Sequence, residues 1–391
     1  MGLILTKSPI FNPILTLADD FFSPLLLSSS KSFPLVGVVD ATNPATNGPI
    51  RIFYPAASPS SPPTTPPDPA SLYRVPYSYM LRGYLSMALS HLRASPYKAI
   101  AGLLVAFAST ILPPLLPLAY AVLPSTSKNA PVAPGGPHPL LLWSHGLTGT
   151  GDEHGIMAVL LARRGYIVVI PQHTDGSSSL VLLKGGKDLP FVYPDYDDYD
   201  PDFREGQTRV RAVELFASGD VAVEVLGREN VRTSDVAVGG FSFGAATAAR
   251  AICEQASLTD SEYNVKCAVL VDGWYNINLK KYGVDVNMPL SLHRRGLPPS
   301  VKSLFIGSEE FTTYSRLHEE TRKIQQMCGD SAQTITMPGT RHGNFSDVVF
   351  WMPVALLKKA RLVGTDVDPR DNYREQCRRI IDFLDDNIQQ Q

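Results

Sequence analysis

The stretch VAVGGFSFGAATAAR (residues 236–250) carries a change of secondary structure around a single hydroxyl. The apolar run at 236–238 reads as a short strand buried on both faces, and the alanine-rich run at 245–255 reads as a helix packed closely on it. Between them, Gly240 and Gly244 stand two positions either side of Ser242 in a G-x-S-x-G pattern. A chain turning this abruptly from strand to helix has no room for a Cβ at either glycine, and the serine is thrust out with its Oγ exposed. The next backbone N–H, that of Phe243, opens the helix and points at developing negative charge. The bare pattern arises by chance in a chain with 29 glycines. Its position on a strand–turn–helix makes Ser242 a candidate nucleophile.

Outward from this point the same rhythm continues. Apolar runs at 140–143, 166–170, 268–271, 304–306 and, less sharply, 334–337 alternate with helical patterns at 155–164, 203–226, 245–255, 314–327 and 373–388. Such alternation predicts an α/β fold: a doubly wound, mostly parallel sheet with helices on both faces. Ligands of such sheets bind beyond the carboxyl ends of the strands, where Ser242 falls. Runs at 36–39 and 50–54 around Asn47-Gly48 read as an antiparallel hairpin ahead of it. No internal repeat is visible. The expected organisation is a tail at 1–31 followed by one domain over 32–391.

A serine hydroxyl needs a base, and the base needs an orienting acid. Of eight histidines, His342 lies just after the last strand pattern, in the chain order serine–acid–histidine that a G-x-S-x-G turn calls for. His145, His154 and His173 precede the serine; His293 and His318 fall in or near helical patterns. Asp272, following the run at 268–271, is the favoured acid, with Trp274 expected to shield it. Glu309 and Glu310, after the next strand, are the alternatives. The turn after the first parallel strand, Trp143-Ser144-His145-Gly146-Leu147, should supply the second oxyanion donor, the backbone N–H of Leu147, with the His145 ring propping the loop.

The remaining features bound the function. With 35 basic and 37 acidic side chains the chain carries no basic field for nucleic acid. Four cysteines without metal-ligand spacing point to free thiols, and no cofactor or metal is expected. The acidic stretch at 195–202 lacks the glycine and closing glutamate of a calcium loop, and the sequon at Asn344 lies beside His342, where a glycan would block access. The proline-rich run at 58–69 reads as an exposed loop. The uncharged run at 99–123 contains Pro113, Pro114 and Pro117, which leave pieces too short to span a bilayer; it fits a helix in the core or lining the pocket, or one lying on a membrane surface. Met1 to Thr6 match the M-G-x-x-x-[ST] pattern, which makes Gly2 a lipidation candidate, an unmodified terminus being the alternative.

Six blocks taken together resemble the platelet-activating-factor acetylhydrolases of the plasma and intracellular type II kind, α/β-hydrolases that include lipoprotein-associated phospholipase A2. They are PLLLWSHGL (139–147), RRGYIVVIPQH (163–173), REGQTRVRAVEL (204–215), GGFSFGAATA (239–248), LVDGW (270–274) and RHGNFSDVVF (341–350). The resemblance implies a catalytic triad of Ser242, Asp272 and His342, and oxyanion donors at Leu147 and Phe243. It implies calcium-independent removal of a short or oxidised sn-2 acyl chain from a phospholipid substrate. It also implies lipid-facing helices around 79–123 and a cytoplasmic, peripherally membrane-associated protein, a secreted one being the alternative. Phe241 stands where the family usually has histidine, Ala245 where it has glycine and Gly273 where it has alanine, which bears on substrate choice. A general carboxylesterase, lipase or polyester hydrolase with the same triad is the nearer alternative reading, and a non-catalytic membrane-associated binding protein the farther one. Oligomeric state is not legible.

Overall fold

The structure, a computed structural model, describes residues 33–58, 68–88, 98–111, 121–193, 203–258, 263–275, 277–279, 284–286, 296–313 and 315–389. Gly2, most of the proline-rich run, the acidic stretch at 195–202 and His293 lie outside the described residues.

The strands are β1 (Leu35–Thr42), β2 (Pro49–Ala56), β3 (Thr126–Lys128), β4 (His138–Ser144), β5 (Ile167–Pro171), β6 (Leu180–Leu182), β7 (Asp188–Pro190), β8 (Val231–Phe241), β9 (Val265–Val271), β10 (Ile277–Leu279), β11 (Val284–Val286), β12 (Lys302–Ser308) and β13 (Ala332–Met337). Nine of them form one sheet in the order β13-β12-β9-β8-β4-β5-β2-β1-β3; β6/β7 and β10/β11 are separate two-stranded ribbons. From β5 to β13 the main sheet is parallel, and the β1–β2 hairpin adds antiparallel to β5. The hairpin turn runs from Asn43 to Gly48, with Asn47 in the left-handed region at φ 57°.

The helices used below are α1 (Tyr77–Ala88), α2 (Lys98–Ile111), α3 (Gly155–Arg163), α4 (Phe203–Leu226), α5 (Phe243–Leu258), α6 (Glu309–Thr313), α7 (Ser315–Cys328), α8 (Val348–Trp351), α9 (Val354–Lys359) and α10 (Pro369–Leu384). Alternate residues of each central strand enter opposite cores. Leu141, Trp143, Val168, Ile170 and Val269 pack with α3 and α10. Leu140, Leu142, Val169, Val238 and Leu270 pack with α4, α5 and α7. Both faces are therefore dry, which is why these strands read as unbroken apolar runs rather than alternating ones.

The run at 99–123 admits two readings from its sequence, a core or pocket-lining helix and one lying on a surface. Its first part forms α2, which packs on α1, but Ile100 is 55% exposed, Leu103 71%, Leu104 56% and Phe107 63%. Among its described side chains, Val105 and Ser109 on the opposite side are buried. Of the two readings of the run, the described part therefore fits the helix with one apolar face turned outward rather than the core helix. Among the described residues no helix is long and apolar enough to cross a membrane.

Candidate active site

Ser242 is the single residue between β8 and α5, at the carboxyl edge of an interior strand. Its φ of 57° puts it in the left-handed region, a conformation that costs a non-glycine residue about 1–3 kcal/mol and persists only where surroundings enforce it. Here they do. The Ser242 N–H donates to Val271 O at 2.8 Å, and Ser242 O accepts from Trp274 and Ala245 at 3.1 and 3.0 Å. A Cβ on Gly244 would collide with the backbone carbonyls of Ser144 and His145, and one on Gly240 with those of Gly244 and Ser144. The two glycines let the β4 and β8 turns press together.

His342 begins a short 3-10 turn after β13. Its Nε2 lies 3.0 Å from Ser242 Oγ, and its Nδ1 lies 2.6 Å from Asp272 Oδ2. With Nδ1–H donating to the carboxylate, Nε2 is left to accept the serine hydroxyl. Asp272, directly after β9 and also at positive φ, is fully buried. Ser308, the last residue of β12, donates to it twice, from its N–H at 2.7 Å to Oδ1 and from its hydroxyl at 3.0 Å to Oδ2. The carboxylate is held by Ser308; the Trp274 shield expected from sequence is only half-buried.

The alternative acids serve elsewhere. Glu310 accepts from the backbone N–H of His342 at 2.9 Å and pairs with Arg341 at 3.1 Å. Glu309 accepts from Gly339 N–H. Neither is bonded to the imidazole; Glu310 fixes the loop that carries it.

The β4 turn lies against Ser242: a Cβ on Gly146 would sit 3.3 Å from the Phe241 ring and 3.4 Å from Ser242 Cβ. Leu147 follows, then Thr148 at φ 66°. The His145 ring is buried under this turn. Burial, then the nearby Arg211 charge, holds its pKa well below the usual histidine value, so it is neutral. Its Nε2 accepts from the His173 N–H at 3.3 Å, and Nδ1–H donates to Gly146 O at 2.8 Å. His173 in turn donates from Nδ1 to Glu214 at 2.8 Å and accepts from the Ser144 hydroxyl at 2.9 Å. That second serine–histidine–carboxylate chain is sealed, Ser144 and His173 both being 0% exposed. It can brace the turn but cannot meet a substrate.

Three neighbours were not singled out from the sequence as acting on the site. Phe241 and Phe311 stack on the His342 ring, and Glu153 sits buried in the turn preceding α3 with its carboxyl raised to about 7, chiefly by burial. Tyr84 of α1 donates to Glu153. His154, likewise buried, packs edge-on against Trp143 and Phe241; burial lowers its pKa to about 3, so it serves as an uncharged spacer. Asn344, the sequon residue, is 0% exposed and accepts from Arg341 N–H and Gly364 N–H, which leaves no room for a glycan. All four cysteines are free, and among the described residues no group of three or more His, Cys, Asp or Glu side chains could hold a metal ion.

A doubly wound sheet with a serine at the strand-to-helix bend of an interior strand, and an imidazole delivered to it from beyond the last strand, defines the α/β-hydrolase fold. A ferulic acid esterase from Streptomyces cinnamoneus superposes with a TM-score of 0.58 over 94% of this chain and 93% of its own, at 18% identity, which establishes the shared fold. The sequence model of platelet-activating factor acetylhydrolase, isoform II, matches residues 108–187 and 205–391. The chain belongs to that family. Among its relatives, the platelet-activating factor acetylhydrolase of Gallus gallus is 24% identical over 280 residues, 62% of this chain and 60% of that protein. The Cavia porcellus protein of the same name is 25% identical over 271 residues, 62% of this chain and 56% of its own length. The chain thus aligns with less than two thirds of these relatives.

Proposed function

We propose that the chain is a calcium-independent serine esterase that removes the short or oxidised sn-2 acyl group of phospholipids of the platelet-activating-factor type. The observation that carries the reading is the hydrogen-bonded line Ser242 Oγ–His342 Nε2, His342 Nδ1–Asp272 Oδ2 at the carboxyl edge of the sheet. In the proposed reaction His342 takes the Ser242 proton as Oγ attacks the ester carbonyl. The Leu147 and Phe243 amides receive the oxyanion. His342 then protonates the departing lysophospholipid oxygen, and water, deprotonated by the same imidazole, frees the acyl group from Ser242. Loss of one oxyanion donor typically costs about 10²–10³ in rate, so the two amides and the triad together account for most of the acceleration.

A lipid-borne substrate fits the outward face of α2, where Ile100, Leu103, Leu104 and Phe107 lie exposed side by side in sequence spacing i, i+3, i+4, i+7. We read α1 and α2 as a peripheral membrane contact, the second anchor that a single acyl chain on Gly2 requires.

Acetyl-phospholipid in vesicles and a soluble short-chain ester, each assayed with chelator and with the Ser242→Ala protein as blank, test the reading. Hydrolysis of both by the wild type alone is expected. Turnover of the soluble ester without the vesicle substrate would replace the phospholipase with a general esterase. No turnover of either, with no fluorophosphonate labelling of Ser242, would leave a binding protein.

A further inference from the structure

Helix α4 carries a charged residue where its neighbours demand an apolar one. Arg211 faces the core side of the helix and is 0% exposed. A guanidinium buried without partners is strongly destabilising, so its contacts define why it is tolerated. Nη2 donates to the backbone carbonyl of His145 at 2.6 Å. Nη1 reaches Thr247 Oγ1 at 3.4 Å, and that hydroxyl donates to Phe243 O at 3.1 Å. The guanidinium carbon stands 4.9 Å over the Phe243 ring. The carboxyl groups of Asp175 and Glu214 act on it electrostatically, burial raising the pKa of each.

These contacts fall on two different turns. His145 belongs to the β4 turn and precedes Leu147 by two residues; Phe243 opens α5 and Thr247 lies one turn further along it. The two amides assigned above to the oxyanion come from these same turns, and no covalent path shorter than ninety-odd residues connects them. Their separation must be fixed by tertiary contact. Gly244 brings the backbones together, since a Cβ there would strike the carbonyls of Ser144 and His145; contact alone limits approach but does not prevent sliding. A forked, planar donor bonded to one turn and stacked on the other does.

We propose that Arg211 is a positioning residue that sets the spacing of the Leu147 and Phe243 amides, with Glu214 and His173 holding the far side of the β4 turn. Glu214 accepts from Thr174 N–H at 3.2 Å and from His173 Nδ1–H at 2.8 Å, and His173 accepts from Ser144. Arg211 and Glu214 occupy one helix three residues apart, so α4 grips the turn from both ends. Lysine cannot replace arginine here: a single ammonium offers no plane to stack on Phe243 and no fork to span two partners.

This inference rests on the esterase reading and deepens it, so the test separates the two. Wild type, Arg211→Lys, Arg211→Met and Ser144→Ala are assayed on a soluble ester, with rates normalised to sites titrated by a fluorophosphonate and folding followed by thermal unfolding. Wild-type turnover and labelling check the esterase reading by themselves. For folded Arg211→Lys and Arg211→Met, kcat per titrated site should fall about 10–100-fold with KM within about threefold of wild type, the pattern of a contact that matters only once the oxyanion forms. Ser144→Ala should fall less, about three- to tenfold, with the same unchanged KM. A purely structural arginine would lower the unfolding midpoint and the titrated fraction but leave kcat per site unchanged. That result, or failure of both Arg211 variants to fold, would overturn the proposal while leaving an active wild type in place.

Discussion

The imidazole of His342 lies flat against the ring of Phe311, with centroids 4.7 Å apart and planes 6° from parallel. Phe241 stacks on the same imidazole at 4.6 Å and 26°. Two phenyl rings therefore pack on the imidazole at stacking distance. The in-plane hydrogen bonds to Asp272 and Ser242 fix the ring's rotation about its own normal, and the two phenyl faces prevent it from tipping. Because the side chain is 34% exposed, solvent would otherwise compete for its position. Phe311→Leu keeps the bulk and removes one flat face. With aromatic pairing worth about 0.5–1.5 kcal/mol, kcat should fall about two- to tenfold at unchanged KM. Steady-state assay on a soluble ester decides it; unchanged kcat would mean Phe311 is only packing.

Asp272 works through its two bonds from Ser308. With both oxygens engaged, it is pinned as an acceptor and leaves Nδ1 of His342 protonated. Asp272→Asn would present an N–H to Nδ1 and favour the tautomer that points a second donor at Ser242. Elsewhere this change costs about 10⁴ in kcat with geometry intact, and a loss of that order is expected here. Ser308→Ala removes the hydroxyl and keeps the backbone N–H, so a smaller fall of about tenfold is expected. Equal losses in the two variants would show that Ser308 does more than hold the carboxylate.

The legible part of this site was the part encoded locally. The glycine spacing around Ser242 is a steric demand of one turn, and the strands read clearly because burial on both faces leaves no polar positions in them. His342 followed from chain order and Asp272 from its place after a strand. Ser308 and Phe311 meet the site only because β12 lies beside β9, and no short-range pattern announces a sheet neighbour. Arg211 is harder still: α4 mixes buried charges into its core-facing side, so the helical period that normally marks the inner face is blurred. The apolar run at 99–123 was ambiguous for the opposite reason. Hydropathy reports that a segment avoids water, not whether protein or something else covers it, and α2 turned out to face outward.

Glu153 predicts a pH dependence of stability. Burial raises its carboxyl from the usual value of 4.5 to about 7. Between those values the folded state holds a proton that the unfolded state has released. Its contribution is therefore fully present below about pH 4.5 and is lost as pH rises through about 7, at up to about 1.4 kcal/mol per pH unit. Glu153→Gln keeps an acceptor for the Tyr84 hydroxyl and removes the titration. Relative to wild type, the variant should gain stability from about pH 4.5 to about pH 7 and level off above that in thermal unfolding. A constant difference across that range would show that Glu153 does not bind the proton.

The outward face of α2 gives the last test. Leu103 and Phe107 are the most exposed of its four large apolar side chains, at 71% and 63%, and lie one helical turn apart. Full burial of one such side chain is worth about 1.5–3 kcal/mol; insertion into the acyl boundary of a bilayer would recover about half of that for each. The double substitution Leu103→Ser, Phe107→Ser should therefore weaken co-sedimentation with phosphatidylcholine vesicles by about 10–100-fold. Because neither residue belongs to the triad or to the turns beside it, turnover of a soluble ester should stay within about twofold of wild type, while vesicle-borne substrate is cleaved more slowly in proportion to the lost binding. Unaltered vesicle affinity would reassign this face to a protein neighbour, and a parallel loss on the soluble ester would mean that α2 supports the active site through α1 and the Tyr84–Glu153 hydrogen bond rather than through lipid.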